Sequence, residues 1–598
     1  MAIYRSDQAS VTFAAEAAQG GYPEVGDITG AGSSSNTNAA AVAGARTLSF
    51  ASAFTVSSGA NLKVLVVIGN DGDKGPKEVR RVVNGYNTTT ITLDTPLGFA
   101  HASACPVTRK VTAADGTEDL LIDSDANKYI TWFPGVYESV DCPDPEQAFE
   151  PRYVLGGLTN RNFYQMYAGN ETLTGSMGGM VMLNGFPLRF PIGKVVTVPV
   201  ADPSTSVRRL GAAAVKGDLY ININATGSTA IAAGDYILFG NETTTAPFNA
   251  FYTSSSARAD GSKVTYEIRQ VLEAISASTA NTSVKLNAPL QFAHIASDYV
   301  FKLPTPSTST YYKHSIIEQV ALDSLTWNVN ILDDTGANPW QRRYIGGKVG
   351  SMTLSAESGG LLTGGWDGVN FLDMVHNMKA HPDLPTNQPM PRYTAMQNIT
   401  SAQVGRPTYD STFVRPATAP YYYSQGVIKL FTATGALEVA RVASVNLSIS
   451  NSTEPKYYVG AQYDGRRAPR EQYEGNREYT MSASIAVPDS ADQAKDDSRS
   501  LFKELLIGGD YRQGTTAQGF RGFGINLKFI RDIDGDQNDY IEIVIPEDGT
   551  AAAGGNEQGA FIRAAPHNIG EDSPITADAD IVFRNLVIKV QDTEPIYP

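Results

Sequence analysis

Val442-Ala443-Ser444-Val445-Asn446-Leu447-Ser448-Ile449-Ser450 and Tyr479-Thr480-Met481-Ser482-Ala483-Ser484-Ile485-Ala486-Val487 decide the reading of the fold. In the first stretch Ala443, Val445, Leu447 and Ile449 alternate with Ser444, Asn446, Ser448 and Ser450. In the second, Tyr479, Met481, Ala483, Ile485 and Val487 alternate with Thr480, Ser482, Ser484 and Ala486. A strand points successive side chains to opposite faces, so a period of two held this long predicts strands with one buried and one wet face. The wet face is mostly Ser, Thr and Asn and carries no Lys or Arg.

The surrounding chain repeats the pattern. Short β-branched runs at 63–68 and 89–93 are separated by Gly, Asn, Asp and Pro clusters, as in an all-β protein. Residues 524–531 and 540–545 read as a hairpin, and 580–590 as the last strand. One flanking helix is predicted after Pro488-Asp489. There Ala494, Leu501, Leu505 and Leu506 fall at helix-compatible spacings before Gly508-Gly509.

The chain also repeats itself. ITLDTPLGFAHAS at 91–103 matches VKLNAPLQFAHIA at 284–296, EVRRVV at 78–83 matches EIRQVL at 267–272, and VVIGND at 66–71 matches ILFGNE at 237–242. Three blocks in the same order define two copies of a small β module, over 46–110 and 205–302. The shared Pro-Leu-x-Phe-Ala-His turn is expected to point its Leu and Phe inward. Two copies are too few for a solenoid. Residues 20–45 are almost wholly small or polar, which predicts an arm or linker. The resulting division is an N-terminal segment and arm (1–45), the first module (46–110), a first part of the body (111–204), the second module (205–302) and the rest of the body (303–598).

Charge narrows the function. The chain has 598 residues, 18% of them charged, with 47 Lys+Arg against 62 Asp+Glu and a net charge of −15. That is below the ~25% charged content of an average soluble domain. Such a surface is unsuited to gripping phosphates, because duplex binding relies on Lys and Arg. The only cysteines, Cys105 and Cys142, exclude a disulfide-dense scaffold or a four-thiolate metal cluster and read as buried free thiols. The N-terminus lacks the apolar core of a signal peptide, and the longest aliphatic run, 64–68, is far below the ~20 residues that cross a bilayer.

No catalytic constellation emerges. The six histidines form no H-E-x-x-H pair, and the matched His101 and His294 read as turn-satisfying residues. Thr174 stands where a nucleophile elbow around Ser176 needs Gly, and no phosphate-binding G-x-x-x-x-G-K-[ST] is present. No cofactor is predicted. Asp532, Asp534 and Asp536, with Asp539, form the one weak metal candidate. Counted from Asp532, positions 6 and 12 of a calcium loop hold Gln537 and Ile543 instead of Gly and Glu, so a solvated hairpin tip is the competing reading. Tyr311-Tyr312 and Tyr421-Tyr422-Tyr423 are open to three readings: sugar-stacking platforms, interface anchors or half-buried packing.

Several segments together carry a resemblance. These are Arg342-Arg343-Tyr344-Ile345-Gly346-Gly347-Lys348-Val349-Gly350-Ser351-Met352-Thr353-Leu354, the Val442–Asn451 run with Glu454-Pro455, the Pro469-Arg470 turn, and Glu474-Gly475-Asn476-Arg477-Glu478-Tyr479-Thr480. With the opening RSDQASVTFAAEAAQGGYPE and LTGSMGGMVMLNGFPL at 173–188, this ordered set resembles the major tail tube proteins of tailed bacteriophages. The resemblance implies a β-sandwich or partial barrel whose sheet is completed between subunits. It further implies closed rings, usually of six chains, stacked into a hollow tube that conducts DNA. The implied partners are ring neighbours, a tail terminator, a tail tip or baseplate and, in contractile tails, a sheath. The location is the virion tail after assembly in the host cytoplasm. The two modules look like insertions on the outside. Ser444, Asn446, Ser448, Ser450, Thr480, Ser482 and Ser484 are the expected lumen-lining residues. A competing reading is a carbohydrate-binding or depolymerising tail appendage. It predicts exposed aromatic platforms at equivalent positions of both modules, where the matched pair is Phe99/Phe292.

Overall fold

A computed structural model of the chain describes residues 9–16, 34–54 except 43–44, 64–69, 78–93 except 85–87, 97, 100–109, 137–152 except 145, 165–201, 207–224 except 219, 230–241, 251–252, 263–307 except 278–280, 310–331, 340–376, 419–438 except 433–434, 442–458, 469, 471–486, 524–531, 539–546, 560–568 except 565, and 576–597. The chain is mainly β. Among the described residues the one α-helical turn is Arg189–Ile192, which follows a 3-10 turn at Phe186–Leu188. The helix predicted after Pro488 lies outside the described residues.

Two large antiparallel sheets face each other. The first runs in the order Ala560–Ala564, Thr576–Phe583, Glu478–Ala486, Val442–Ser450, Ser351–Glu357, Thr363–Asn370, Thr174–Val181, Ser139–Val140, with His567–Asn568 beside Thr576–Phe583. The second runs Gly193–Pro199, Tyr312–Glu318, Val587–Asp592, Tyr540–Ile545, Gly524–Ile530, Gly426–Thr432, Gly435–Glu438. Their inner faces share one apolar core, in which Leu447, Met481 and Ile581 of the first sheet join Ile316, Leu527, Ile543 and Ile588 of the second. A smaller sheet, Ala9–Ala15, Leu325–Ile331, Trp340–Gly347, Asp373–His376, adds Phe13, Trp327 and Tyr344 to that core.

The two stretches that opened the sequence reading are neighbouring strands of the first sheet, Val442–Ser450 and Glu478–Ala486, with the predicted alternation of buried and wet positions. Ala443 departs from it. The register slips between Val442 and Ser444, a bulge that turns Ala443 out to solvent. Val487 lies outside the described residues. The predicted last strand over 580–590 is instead two strands in different sheets, Thr576–Phe583 and Val587–Asp592. The chain crosses the sandwich rim at Arg584-Asn585, where the Leu586 N–H donates to Glu318 Oε1 at 3.0 Å.

The repeated modules are two small closed barrels. The first has the order Ser34–Asn36, Pro106–Arg109, Val64–Ile68, Glu78–Asn84, Thr88–Leu93, Thr47–Phe54, and a bridge between Thr37 and Phe50 closes it. The second has the order Val207–Arg209, Tyr299–Lys302, Tyr236–Gly240, Tyr266–Ala277, Asn281–Leu286, Tyr220–Asn224, closed between Leu210 and Ile223. The strand order is the same, and so is the core: Val66, Val82, Leu93 and Leu97 in one correspond to Ile237, Val271, Leu286 and Leu290 in the other. Even the uncommon positive φ recurs, at Ala104 (64°) and Ser297 (90°). The first barrel begins at Ser34, inside the small-residue stretch, and Ala41 bridges to His101 as Ala214 bridges to His294.

Candidate functional site

The wet face of the first sheet is one continuous polar surface. Strand register lines its residues up in rows across the sheet: Thr363, Ser355, Asn446, Ser482 and Asp580 form one row, and Glu357, Ser444, Ser484 and Asp578 another. Thr353, Ser448 and Thr480 form a third, and Asp367, Ser351, Ser450 and Glu478 a fourth. All seven residues singled out from sequence, Ser444, Asn446, Ser448, Ser450, Thr480, Ser482 and Ser484, stand here, half-buried or exposed. The six consecutive strands from Thr576–Phe583 to Thr174–Val181 contain no Lys or Arg. On the flanking strand, Arg563 is tied to Asp580 by Nε at 2.7 Å. Sequence reading missed Ser351, Thr353, Ser355 and the acids. The alternation of SMTLSAE at 351–357 carries the same signal.

Behind this face, segments far apart in sequence meet at the short helix. Asn451 is buried, its Nδ2 donating to the carbonyls of Pro191 (2.9 Å) and Val349 (3.1 Å) while its Oδ1 accepts from Arg477 Nε at 2.7 Å. Lys348 Nζ lies 2.6 Å from Glu474 Oε1, which also accepts the Leu322 N–H. Glu16 Oε1 accepts the Gly346 N–H at 2.7 Å and the Thr326 hydroxyl at 2.6 Å, pinning the N-terminal strand. Gly346 has φ of 74°, and a Cβ there would lie 2.7 Å from Leu372 Cγ, so this turn requires glycine. The motif residues Gly346, Lys348, Asn451, Glu474 and Arg477 are thus structural ties.

The second barrel is docked on the body. Its Tyr236, Leu238, Tyr266, Ile268, Phe292 and Phe301 belong to the main core, while Leu290 stays in its own. The two turn residues expected to point the same way therefore split. Polar contacts flank the apolar seam. Gln291 Oε1 accepts the Val195 N–H (3.0 Å), its Nε2 donates to the Tyr597 carbonyl (2.9 Å), and its own carbonyl accepts Lys194 Nζ (2.6 Å). The Tyr597 hydroxyl accepts the Gly185 N–H and donates to Asp592, and the ring stacks on His314 at 3.8 Å between centroids.

A buried ionic network completes the seam. Asp323 pairs with Arg189 Nη2 (2.9 Å) and with Lys216 of the barrel (2.6 Å). Within the barrel, Glu267 pairs with Arg269 (2.7 Å) and with His294 Nε2 (2.9 Å), and His294 Nδ1 faces Asp298 at 3.3 Å. Burial alone would depress the His294 pKa, but hydrogen bonds from the imidazolium to Asp298 and Glu267 push it up to about 9. Against its own burial, Glu267 is held below the usual carboxylate range by Arg269 and His294. Asp323 is held down in the same way by Arg189 and Lys216.

The remaining sequence candidates resolve differently. Asp532, Asp534 and Asp536 lie outside the described residues. Asp539 is engaged by Arg531 (2.5 Å) and by the Tyr421 hydroxyl (2.8 Å). Among the described residues no group of three His, Cys, Asp or Glu side chains is placed to hold a metal ion. Tyr312 and Tyr421 are core residues, whereas Tyr422 is exposed. Phe99 lies outside the described residues, and Phe292 is buried beneath Lys194, whose Nζ is 5.0 Å from the ring centroid, so it offers no sugar platform. The cysteines are free but only half-buried. Cys105 Sγ is 3.5 Å from His101 Nδ1, and burial pushes the Cys142 thiol up to about 11. No described helix is long and apolar enough to cross a membrane.

A family profile described as phage tail tube protein matches residues 159–583. No curated protein matches the chain.

Proposed function

The chain belongs to the phage tail tube protein family, and from that premise we propose that it is the major subunit of a hollow tail tube. In this reading the chains close into rings, the rings stack, and the polar face of the first sheet lines a lumen that conducts DNA. The observation that carries it is the run of six adjacent strands without a cation, bearing hydroxyl rows and the carboxylates Glu357, Asp367, Glu478, Asp578 and Asp580. A lumen wall must wet DNA without holding it. Hydroxyls satisfy water, and carboxylates repel phosphates that Lys or Arg would bind. Joining the sheet across subunits removes the open edges at Ala560–Ala564 and Ser139–Val140. Ring-on-ring contact is head-to-tail and does not close, which gives a filament.

The role is structural and non-enzymatic, and the place of action is the virion tail, reached by assembly in the host cytoplasm. Partners are the chain itself and the proteins that end or sheathe a tube. The barrels are decorations on the outer wall. Electron microscopy of the purified protein tests the reading: hollow tubes are expected, and a soluble monomer at every salt concentration overturns it.

A further inference from the structure

The seam between body and second barrel carries more positive charge than its carboxylates neutralise. Asp323 is one carboxylate shared by two cations, Arg189 and Lys216. Lys194 sits beside them, within electrostatic reach of both and of Glu267. Among the described residues its Nζ finds only the Gln291 carbonyl and the face of Phe292. Counting the protonated His294 and Arg269, five cations face three carboxylates, Glu267, Asp298 and Asp323, in a protein whose overall charge is −15.

Arg189 is the focus of this excess. Its side chain is 3% exposed, and only Nη2 is paired, while Nε and Nη1 are buried without a hydrogen-bond partner. Of the buried side chains described, it alone leaves two nitrogens unsatisfied. Unsatisfied guanidinium donors are costly in a desolvated place, and a surplus of buried positive charge adds to that cost. Both are relieved by the same species. We propose that the seam binds a small inorganic anion, of the chloride class, on Arg189 Nε or Nη1 with Lys194 as the second cation. Lys216, whose side chain is 45% exposed, marks the side open to solvent. The anion then acts as a removable component of the joint that holds the second barrel to the body.

The probe is halide against a large organic anion of equal charge. The full-length protein is melted in sodium chloride, sodium bromide and sodium gluconate at matched ionic strength. A saturable rise of the midpoint with chloride and bromide but not gluconate is expected, because a ligand bound only by the folded state stabilises it by mass action. Lys194→Met, which removes a half-buried side chain and leaves Arg189 in place, is expected to weaken the halide dependence about tenfold, the loss of one charge-assisted contact. Should that variant fail to fold, crystals of the unaltered protein grown in bromide decide the question. An anomalous peak within hydrogen-bond distance of Arg189 supports the site. Ordered water there, or superimposable melts in halide and gluconate, overturns it.

Discussion

The two sheets of the sandwich are built from the same alternation and share one core, yet their outer faces differ in kind. Six adjacent strands of the first sheet carry no Lys or Arg, whereas the second sheet carries Lys194, Lys313, Lys429, Lys528 and Lys589. Several of those lysines lie over aromatic rings, Lys528 over Tyr540 at 3.8 Å and Lys313 over Phe251 at 5.5 Å. Folding demands only that the inner faces be apolar. The segregation of charge between the outer faces is therefore not something the shared core requires.

That contrast can be broken from either side. Ser444→Lys, Ser448→Lys and Ser482→Lys together place three cations per subunit on the polar face. DNA delivery is expected to fall about tenfold or more, since each new ammonium is a phosphate contact, while micrographs show tubes of normal appearance. Undiminished infectivity would remove this face from the lumen. Leu447→Ala instead attacks the core that both sheets share. Leu447 is 1% exposed, and the loss of about 2–5 kcal/mol in denaturant melts is expected to fall on the sandwich as a whole.

The second barrel sharpens the contrast through pH. Because the His294 pKa is raised, its stabilisation is complete below the ordinary histidine value and is lost as pH rises through about 9. Glu267 and Asp323 are shifted down, so theirs is lost only in acid, as pH falls through the usual carboxylate range toward their own lowered pKa values. The melting midpoint should therefore decline between about pH 6.5 and 9, and His294→Gln should flatten that decline. Equal slopes would show that the network does not bear on stability. The smallest effect is expected from Lys528→Ser, which forfeits about 0.5–1 kcal/mol of cation–π contact and leaves DNA delivery unchanged.

Much of this was legible in the sequence, for physical reasons. Period two is imposed by strand geometry, so Val442–Ser450 and its neighbour announced both their structure and their faces. The repeat disclosed two modules because the same core positions recur, Leu93 with Leu286 and Leu97 with Leu290. What alternation does not encode is partnership. Nothing local tells that 580–590 divides between two sheets, that Phe292 leaves its barrel for the body, or that Asp580 and Ser482 share a row. Gln291 and Lys216 dock the second barrel where the first carries Gly98 and Ala43. Substitutions of that kind acquire meaning only once the seam is seen.

One contact described above bears on the order in which the molecule can be built. The Gly185 N–H is satisfied by the Tyr597 hydroxyl across a separation of 412 residues. At the roughly 5–20 residues per second of protein synthesis, those two positions emerge on the order of 20–80 seconds apart. Each barrel closes on partners that lie close in sequence and can fold in that interval. The sandwich joint waits for the late strands Val587–Asp592 and the segment that follows. A chain still being made therefore carries strands of both barrels before its sandwich is complete, and this tie of the sandwich waits until synthesis has passed Tyr597.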